Sequence, residues 1–366
     1  MTTAEAPWLL SRRTDLLLFG GSTALALGLL LGGAATGTLE GDAPPWLWLA
    51  AVVGVDVAHV WSTGWWVYAD REELSRRRTL YLAVPAAAWA TGVVLHSVSA
   101  ALFWRALAYL AVFHFVRQQY GWVALYRRKS GENEESLGEL WRRLDAATIY
   151  ACTVAPLVFW HASLPRSFHW FLPGDFAAGL PGWTGTVALW VLAALLLSYV
   201  VKEVARALAG RPVSWGKSLV VASTAATWLL GIVVLDSDYA FTVTNVLVHG
   251  IPYVGFVLVT SRRRAESRAA AGRPASLADR AARSLPLFLA PLLLVAFVEE
   301  WGWDRFLWHE NGAFFPGPDL APGAFLLSLL VPLLALPQAT HYVLDAFIWK
   351  VRPENAAAVA AVGLKA

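Results

Sequence analysis

The sequence predicts an all-α, polytopic transmembrane helical bundle: one integral-membrane domain, residues 1–366, with about ten spans. Three observations lead to this fold class. The 366 residues are 57% hydrophobic and only 15% charged, whereas soluble domains are roughly a quarter charged. Apolar runs of about 20 residues, the length that crosses a bilayer as a helix, recur along the chain. Basic clusters recur at alternate ends of these runs.

Ten apolar segments are predicted to be transmembrane helices. In chain order they are 15–36, 46–68, 79–97, 100–126, 145–164, 182–205, 217–235, 239–261, 284–300 and 323–350. Prolines inside them, such as Pro156 and Pro252, are compatible with membrane helices because neighbouring groups satisfy the carbonyls that proline leaves unbonded. The polar stretches between the segments are too short to form a second, soluble domain.

The charges between these segments predict their direction. Basic clusters follow the even-numbered helices, at Arg76 to Arg78, Arg127 to Lys129, Lys202 with Arg206 and Arg211, Arg262 to Arg264, and Lys350 with Arg352. The ends after odd-numbered helices carry acidic residues, at Glu40 and Asp42, Asp236 and Asp238, and Glu299 and Glu300. Because cytoplasmic loops carry the excess of Lys and Arg, both termini are expected on the cytoplasmic side of the membrane, which is expected to be of the bacterial type.

Composition also excludes several classes of protein and site. The net charge of +3 is modest and the basic residues lie at helix ends, so we expect no nucleic-acid partner. The single cysteine, Cys152, excludes an intrachain disulfide and a cysteine-built metal site. The chain has no CxxCH haem-attachment motif, no Walker A motif and no credible dinucleotide-binding fingerprint. No signal-peptide cleavage site stands out, so the first span is expected to be retained.

Four of the eight histidines are predicted to lie at one depth in the membrane. They are His59, His114, His249 and His341, on even-numbered helices that all run from the outside to the inside. Each precedes the next cytoplasmic basic residue by about the same length of helix, which places it roughly 14–20 Å above the inner boundary. The remaining four, His96, His161, His169 and His309, fall at outer helix ends or in outer loops.

Polar side chains lie one helical turn from each of these four histidines. Such spacings of three or four residues place two side chains on one face of a helix. The neighbours are Asp56 before His59, Gln118 after His114, with Gln119 next to it, Asn245 before and Tyr253 after His249, and Gln338 before and Asp345 after His341.

This pattern favours a metal site. Ionisable residues inside a membrane are costly and usually functional, and neutral imidazole is a good ligand for iron, zinc, copper or nickel. A metal-binding histidine normally donates its second ring N–H to a carboxylate, a carbonyl or water. We therefore interpret the four histidines as metal ligands, and Asp56, Asn245, Gln338 and Asp345 as residues that orient them.

The sequence resembles the bacterial and archaeal β-carotene 15,15′-dioxygenases, the Brp/Blh family, in short segments around these histidines. His341, Asp345, Ile348 and Lys350, followed by Pro353, are similar to that family's last histidine segment. The pair His114–Phe115 is similar to its second segment, and His249 stands where the third would be. The first segment departs from the family, because Asp56 precedes His59 and no Pro-His-Gly occurs.

The resemblance implies a non-haem Fe(II) ion held by the four histidines, and a reaction of O₂ with a lipophilic substrate. A carotenoid is the first expectation; another isoprenoid or a fatty acyl chain is as reasonable physically. Four neutral ligands leave the iron its positive charge beside an apolar substrate that enters from the membrane lipids. Gln118, Gln119, Tyr253 and Tyr342 are the candidates to orient oxygen or substrate, and thus to act in catalysis.

Two further functions remain open from the residues alone. In a proton-coupled transporter, Asp56, Arg117, Asp345 and the histidines would form a relay. Against this, a relay should be staggered in depth, and no inverted repeat is evident. In a b-type haem protein, the histidines would bracket porphyrins, although the polar residues one turn away do not form flat apolar walls.

Overall fold

The computed structural model describes residues 7–364, and all regular secondary structure among them is helical. Ten long helices account for most of this length. We number them α1 (Arg12–Thr36), α2 (Pro45–Val67), α3 (Arg78–Val98), α4 (Ala100–Lys129), α5 (Gly138–Ala162), α6 (Gly182–Leu208), α7 (Trp215–Val234), α8 (Asp238–Ala270), α9 (Leu285–Trp308) and α10 (Ala324–Ile348). Each of the ten corresponds to one predicted segment.

Within residues 7–364, nine of these helices are long and apolar enough to cross a membrane. This result supports an all-α, multi-pass membrane protein. Helix α5 is not among the nine, although the sequence predicts a span at 145–164. Its first two turns carry Glu139, Arg142 and Arg143, which pair with one another on the exposed surface.

Two helices extend well past their predicted ends. Helix α8 continues to Ala270, nine residues beyond the predicted 261, because Arg264 and Arg268 are paired with acidic residues. Arg268, for example, lies 2.5 Å from Asp70 and 2.8 Å from Asp279. Helix α9 continues to Trp308, beyond the predicted end at 300, and Glu299 and Glu300 are buried within it.

The described residues fall into two compact units. Unit 1 contains the chain up to Ala43, Val112–Pro252 and the segment from Val362; unit 2 contains Pro44–Ala111 and Tyr253–Ala361. The next two divisions after Ala43 fall inside long helices, within α4 and within α8. Each unit is therefore built from segments that are far apart in sequence, and both units consist of membrane-length helices.

In unit 2, helix α2 packs against α9 and α10, and α10 also packs against α3. Helix α10 is interrupted at Ala335, between Ala324–Leu334 and Leu336–Ile348, where Pro332 and Pro337 lie. Helix α3 approaches α10 so closely at Gly92 that an added Cβ would lie 2.8 Å from Pro332 Cβ. A core cluster joins these helices to the short helix Ala356–Val362 through Trp66, Val67, Tyr81, Leu344, Ile348, Ala358 and Ala361.

In unit 1, α5 and α6 form an antiparallel pair, and α7 packs against both α5 and α1. Helix α1 meets the start of α8 at Gly33, where an added Cβ would lie 2.6 Å from the Tyr239 ring. Near the other end of the unit, Lys129 Nζ donates hydrogen bonds to Leu9 O at 2.6 Å and to Val362 O at 2.8 Å. This one side chain thus joins three segments of unit 1.

Unit 1 also contains a buried network of ion pairs. Asp145 on α5 is its centre and is paired with Arg127, with Lys202, and with Lys217 at 3.1 Å. Four carboxylates and four cations take part: Glu132, Glu135, Asp145 and Glu203, with Arg127, Lys202, Arg206 and Lys217. The charges therefore balance, as a buried ionic cluster requires.

Candidate functional site

Two of the four predicted histidines meet in unit 2. His59 on α2 and His341 on α10 place their rings edge to face, with centroids 4.8 Å apart and an interplanar angle of 82°. Both are buried, at 0% and 1% relative exposure. Two buried imidazoles that lie far apart in sequence thus come into contact.

His59 has a carboxylate neighbour on its own helix. Asp56 Oδ1 lies 3.3 Å from His59 Nδ1. The two groups are close enough for an ion pair but are not aligned as a hydrogen bond. Asp56 Oδ1 accepts no hydrogen bond from any residue between 7 and 364. Asp56 lies in a π-helical stretch, Trp48–Val57, that leads into the regular turn holding His59. Such π-helical turns are frequent at functional sites.

His341 is bound through a hydroxyl group. Thr63 Oγ1 lies 2.7 Å from His341 Nδ1, whereas Asp345 Oδ1 lies 3.7 Å from the same nitrogen. Tyr253 donates to Asp345 Oδ1 at 2.5 Å and lies 3.0 Å from Thr63. Tyr253, predicted to orient substrate or oxygen, therefore has its hydroxyl within this network, and Trp349 Nε1 also donates to that hydroxyl at 3.2 Å.

Gln338 and Tyr342 flank His341 on α10. Gln338 Nε2 donates to Glu299 Oε1 at 3.1 Å, and Trp61 Nε1 donates to the second oxygen, Glu299 Oε2, at 2.6 Å. Tyr342 is buried, and its ring centroid lies 5.8 Å from that of His341. Glu299 was not among the residues predicted for the site, because its helix was expected to end there.

The other two histidines meet in unit 1. His114 on α4 and His249 on α8 also place their rings edge to face, with centroids 5.1 Å apart at 86°. Both are buried, at 3% and 1% relative exposure. Phe115 stacks on His249: its ring lies parallel to that of His249, with centroids 3.7 Å apart.

The amides predicted near this pair lie beside it. Gln118 Nε2 donates to His249 O at 3.0 Å, which ties α4 to the turn that carries the histidine. Gln119 Oε1 accepts from Thr224 on α7 at 3.1 Å. Asn245 lies in the π-helical turn Thr242–Val246 that precedes His249, and its amide donates to Thr244 Oγ1 at 3.0 Å.

The basic residue near His114 has partners of its own in unit 1. Arg117 donates to the Tyr150 hydroxyl, and its guanidinium lies 5.0 Å from the Tyr120 ring centroid. As a possible relay residue in a transporter, Arg117 would have to exchange these partners. The structure thus gives this cation an aromatic and phenolic environment within unit 1.

A second group of possible metal ligands, Glu132, Asp145 and Glu203, has a simpler explanation. Their carboxylate oxygens lie within 4.8 Å of one another in unit 1. Lys217 Nζ lies 2.5 Å from Glu132 and 2.9 Å from Glu203, and Lys202 lies 2.6 Å from Glu203. Ammonium groups already occupy the positions that a cation would take, so these acids belong to the ion-pair network.

Besides Glu299, spacing along the sequence missed Thr63 among the polar side chains around the histidines. Thr63 lies four residues after His59, on the same helical face, and a rule that accepts hydroxyls as well as carboxylates and amides would have included it. Its partner, His341, is on another helix, and spacing along the sequence cannot predict a contact between two helices.

The site in each unit thus consists of two buried imidazoles with hydrogen-bonding side chains around them. Such pairs suit the binding of a divalent transition metal, for which neutral imidazole is the commonest ligand. The chain matches no protein-family model, no curated protein and no solved structure.

Proposed function

We propose that the chain is a membrane-embedded non-haem iron oxygenase, with His59, His114, His249 and His341 as ligands of Fe(II) and a lipophilic molecule as substrate. The observation that carries the proposal is the pairing of the histidines. Two contacts form among four buried intramembrane imidazoles, one in each unit, with ring centroids 4.8 and 5.1 Å apart. The equal depth predicted from the sequence is the reason to assign both pairs to one ion.

The donor chemistry in unit 2 supports a metal. Ligand histidines use one ring nitrogen for the metal and the other for a hydrogen-bonding group of the protein. His59 Nδ1 faces Asp56 at 3.3 Å, and His341 Nδ1 is bound to Thr63 at 2.7 Å. In His341 Nε2 is therefore the nitrogen to be assigned to iron, and in His59 the nearby Asp56 carboxylate favours the same assignment. When bound, Fe(II) would supply an open coordination position for reaction with O₂.

Among the four catalytic candidates, Gln118 has the side chain best suited to a bound molecule. Its Oε1 atom is buried and accepts no hydrogen bond from any described residue. By contrast, Gln119 bonds to Thr224 and Tyr253 to Asp345. We propose that Gln118 orients oxygen or substrate, with Gln119, Tyr253 and Tyr342 around it.

The proposed substrate is a membrane-soluble hydrocarbon chain, with a carotenoid first and another isoprenoid or a fatty acyl chain next. The support is the location of the histidines in apolar helices, since a substrate dissolved in lipid reaches such a site without entering water. The partners implied are membrane lipids and O₂. The resemblance of the segments around His114, His249 and His341 to β-carotene dioxygenases supports the carotenoid.

The first test is the iron content of purified protein in detergent, with a visible spectrum of the same sample. We expect about one iron per chain and no Soret band. Replacing any one of His59, His114, His249 and His341 by Ala should abolish iron retention, because each supplies one ligand. His161→Ala and His309→Ala are the controls and should keep the parent's iron, since those residues bond to Leu157 O and to Asp319.

Four results would contradict the proposal. Equal iron in all six variants would remove the histidines from the site. A Soret band would indicate a haem protein. No metal after anaerobic reconstitution with Fe(II) would favour the proton-coupled transporter. Loss of only half the metal in each ligand variant would show two separate ions, one for each pair.

We further propose that the chain spans a bacterial-type cell membrane ten times, with both termini on its cytoplasmic side. The distribution of basic residues along the sequence supports this topology. Helix α5 decides the count, because nine spans would place the two termini on opposite sides.

A further inference from the structure

Arg117 is a cation that the proposed iron site does not use. It lies past the middle of the 30-residue helix α4, which is long and apolar enough to cross a membrane, and its side chain is half-buried. A charge at such a position is costly and usually functional. Among residues 7–364, no carboxylate oxygen lies within 4.0 Å of a guanidinium nitrogen of Arg117.

The ion-pair network of unit 1 shows how this unit compensates its other buried positive charges. Each of the four cations in the network contacts at least one carboxylate: Arg127, Lys202, Arg206 and Lys217. Arg117 instead lies against tyrosines, with its guanidinium 5.0 Å from the Tyr120 ring centroid. An aromatic ring attracts a cation but carries no charge to neutralise it.

The unused hydrogen-bonding groups around this guanidinium are donors. Arginine has five N–H donors and no acceptor, and Arg117 makes one hydrogen bond to the described residues, in which the Tyr150 hydroxyl accepts. The O–H proton of Tyr150 has no acceptor among residues 7–364. The Tyr150 ring stacks on Tyr120, with centroids 5.0 Å apart at 12°, so the phenol is fixed beside Arg117.

Exposed apolar side chains lie one helical turn from both donors. Phe113 precedes Arg117 by four residues and is 54% exposed, and Val154 follows Tyr150 by four residues and is 42% exposed. Helices α4 and α5 are antiparallel here, because Arg117 contacts Tyr150 while Arg127 contacts Asp145. Both apolar side chains therefore lie on the same side of the donors along the helices, where a hydrocarbon chain can follow them.

We propose that Arg117 and Tyr150 form a binding site for the carboxylate head group of a long-chain acid dissolved in the membrane. A guanidinium presents its donors as a fork that matches the two oxygens of a carboxylate, and the Tyr150 proton supplies a further donor. One cation balances the single charge of a carboxylate, whereas a phosphate monoester carries more than one negative charge at neutral pH.

The site also bears on the substrate of the proposed oxygenase. Arg117 follows His114 by three residues, about 4.5 Å along the helix. An acid held at Arg117 therefore begins its chain within one turn of a proposed iron ligand, and a carotene has no group that accepts hydrogen bonds from Arg117. The choice of an acid as substrate rests on the proposed function, whereas the binding of the acid does not.

Three substitutions separate charge, hydroxyl and fold. Arg117→Gln removes the cation, and Tyr150→Phe removes the hydroxyl but keeps the ring that stacks on Tyr120. Arg143→Gln is the matched control, because it removes an exposed positive charge on α5 that pairs with Glu139 at the surface. A melting curve of each variant in detergent checks that it folds, and Tyr150→Phe changes no charge, so it tests the site even where Arg117→Gln does not fold.

The decisive measurement is the binding of ¹³C-carboxyl palmitate to metal-free protein in a neutral detergent, with hexadecanol as the uncharged ligand of equal chain length. We expect affinity for palmitate to fall about ten- to a hundredfold in Arg117→Gln, about three- to tenfold in Tyr150→Phe, and not at all in Arg143→Gln. Hexadecanol should bind the parent at least about tenfold more weakly than palmitate. Equal palmitate affinity in the parent and Arg117→Gln, or equal affinity of the parent for the two ligands, would overturn the proposal.

Competition experiments distinguish a carboxylate from other anions. We expect palmitate to remain bound in the presence of phosphatidylglycerol or inorganic phosphate at the same concentration. Displacement by phosphatidylglycerol would assign the site to a phospholipid head group, and displacement by inorganic phosphate would assign it to a free anion; either result would overturn the carboxylate assignment. Palmitate binding by a protein that retains no iron would contradict the proposed iron site alone.

Discussion

Gly231, on α7, shows how one small residue sets the packing next to His249. A Cβ at this position would lie 2.0 Å from Thr244 Oγ1 and 2.6 Å from Asn245 Nδ2. Neither group can move away without loss, because Thr244 donates to Ala240 O and Asn245 donates to Thr244. Asn245 lies one helical turn before His249, so a shift here would reach the histidine pair of unit 1.

Gly231→Ala is therefore expected to destabilise the protein by about 1–3 kcal/mol, the usual result of overpacking a core, and to lower its melting temperature by several degrees. Gly32→Ala is the control, since an added Cβ there meets nothing within 4 Å. Melting curves in one detergent compare the two. A Gly231→Ala protein as stable as Gly32→Ala would show that α7 and α8 are packed more loosely than described.

At the residue scale, the sequence predicted well which types of side chain lie near the histidines. It predicted poorly which side chains of different helices are in contact. The presence of Asp56 near His59 follows from spacing along a single helix, and the common depth of the four histidines stays a prediction from the same kind of spacing. The contact of Thr63 with His341, the stacking of Phe115 on His249 and the burial of Glu299 depend on how different helices pack. Hydrophobic periodicity contains little information about which helices are neighbours.

Ion pairs join the helices of unit 1. From the sequence alone, the basic residues in these pairs were interpreted only as signals that set the membrane topology. Arg127, Lys202 and Arg206 were interpreted as basic residues at the cytoplasmic ends of spans. In the structure they are buried and paired, with Asp145 in contact with Arg127, Lys202 and Lys217. The two roles are compatible, since a residue near the end of a helix can fix topology and also pair inside the bundle.

Asp145→Ala should be strongly destabilising, by about 3–5 kcal/mol, because it leaves several cations buried without their central partner. Glu139→Ala, on the same helix, removes an exposed carboxylate that pairs with Arg142 and Arg143, and should change stability little. Denaturation in detergent with a chaotrope measures both. Similar unfolding midpoints for the two variants would mean that the network contributes no more than a surface ion pair.

The helical elements themselves were largely predictable, because an apolar run of sufficient length has few alternatives to a helix in a membrane. The errors lie at ends where polar residues are satisfied by tertiary contacts. Helix α8 continues through three consecutive arginines, since Arg264 and Arg268 find Asp70 and Asp279. An isolated segment of that composition would be expected to form a loop.

For the whole molecule, the topology depends on whether α5 crosses the membrane. If this helix crosses the membrane, the turn at Gly131 and the loop at Gly174 lie on opposite sides. We expect a fluorescent protein inserted at Gly131 to fold in the cytoplasm, and alkaline phosphatase fused at Gly174 to be active outside. Each reporter exchanged between the two positions serves as the control.

Reporters that place Gly131 and Gly174 on one side would show that α5 lies within or along one leaflet. Nine spans would then remain, and the prediction that both termini are cytoplasmic would be wrong. Because the four histidine helices lie on both sides of α5 in sequence, their predicted common direction would fail as well. The same pair of fusions thus tests the depth argument for the iron site.

The discontinuity of the two units has a consequence for biosynthesis. Unit 1 receives its last segment, from Val362, only after nearly all of unit 2 has been synthesised, and Lys129 holds that segment beside Leu9. Neither unit is finished while the ribosome is still translating α9 or α10. A chain that stalls there exposes the helix surfaces of unit 2 that α9 and α10 would cover, and Lys129 lacks its hydrogen bond to Val362 O. Folding of both units is therefore expected to be completed only after α10 has been translated.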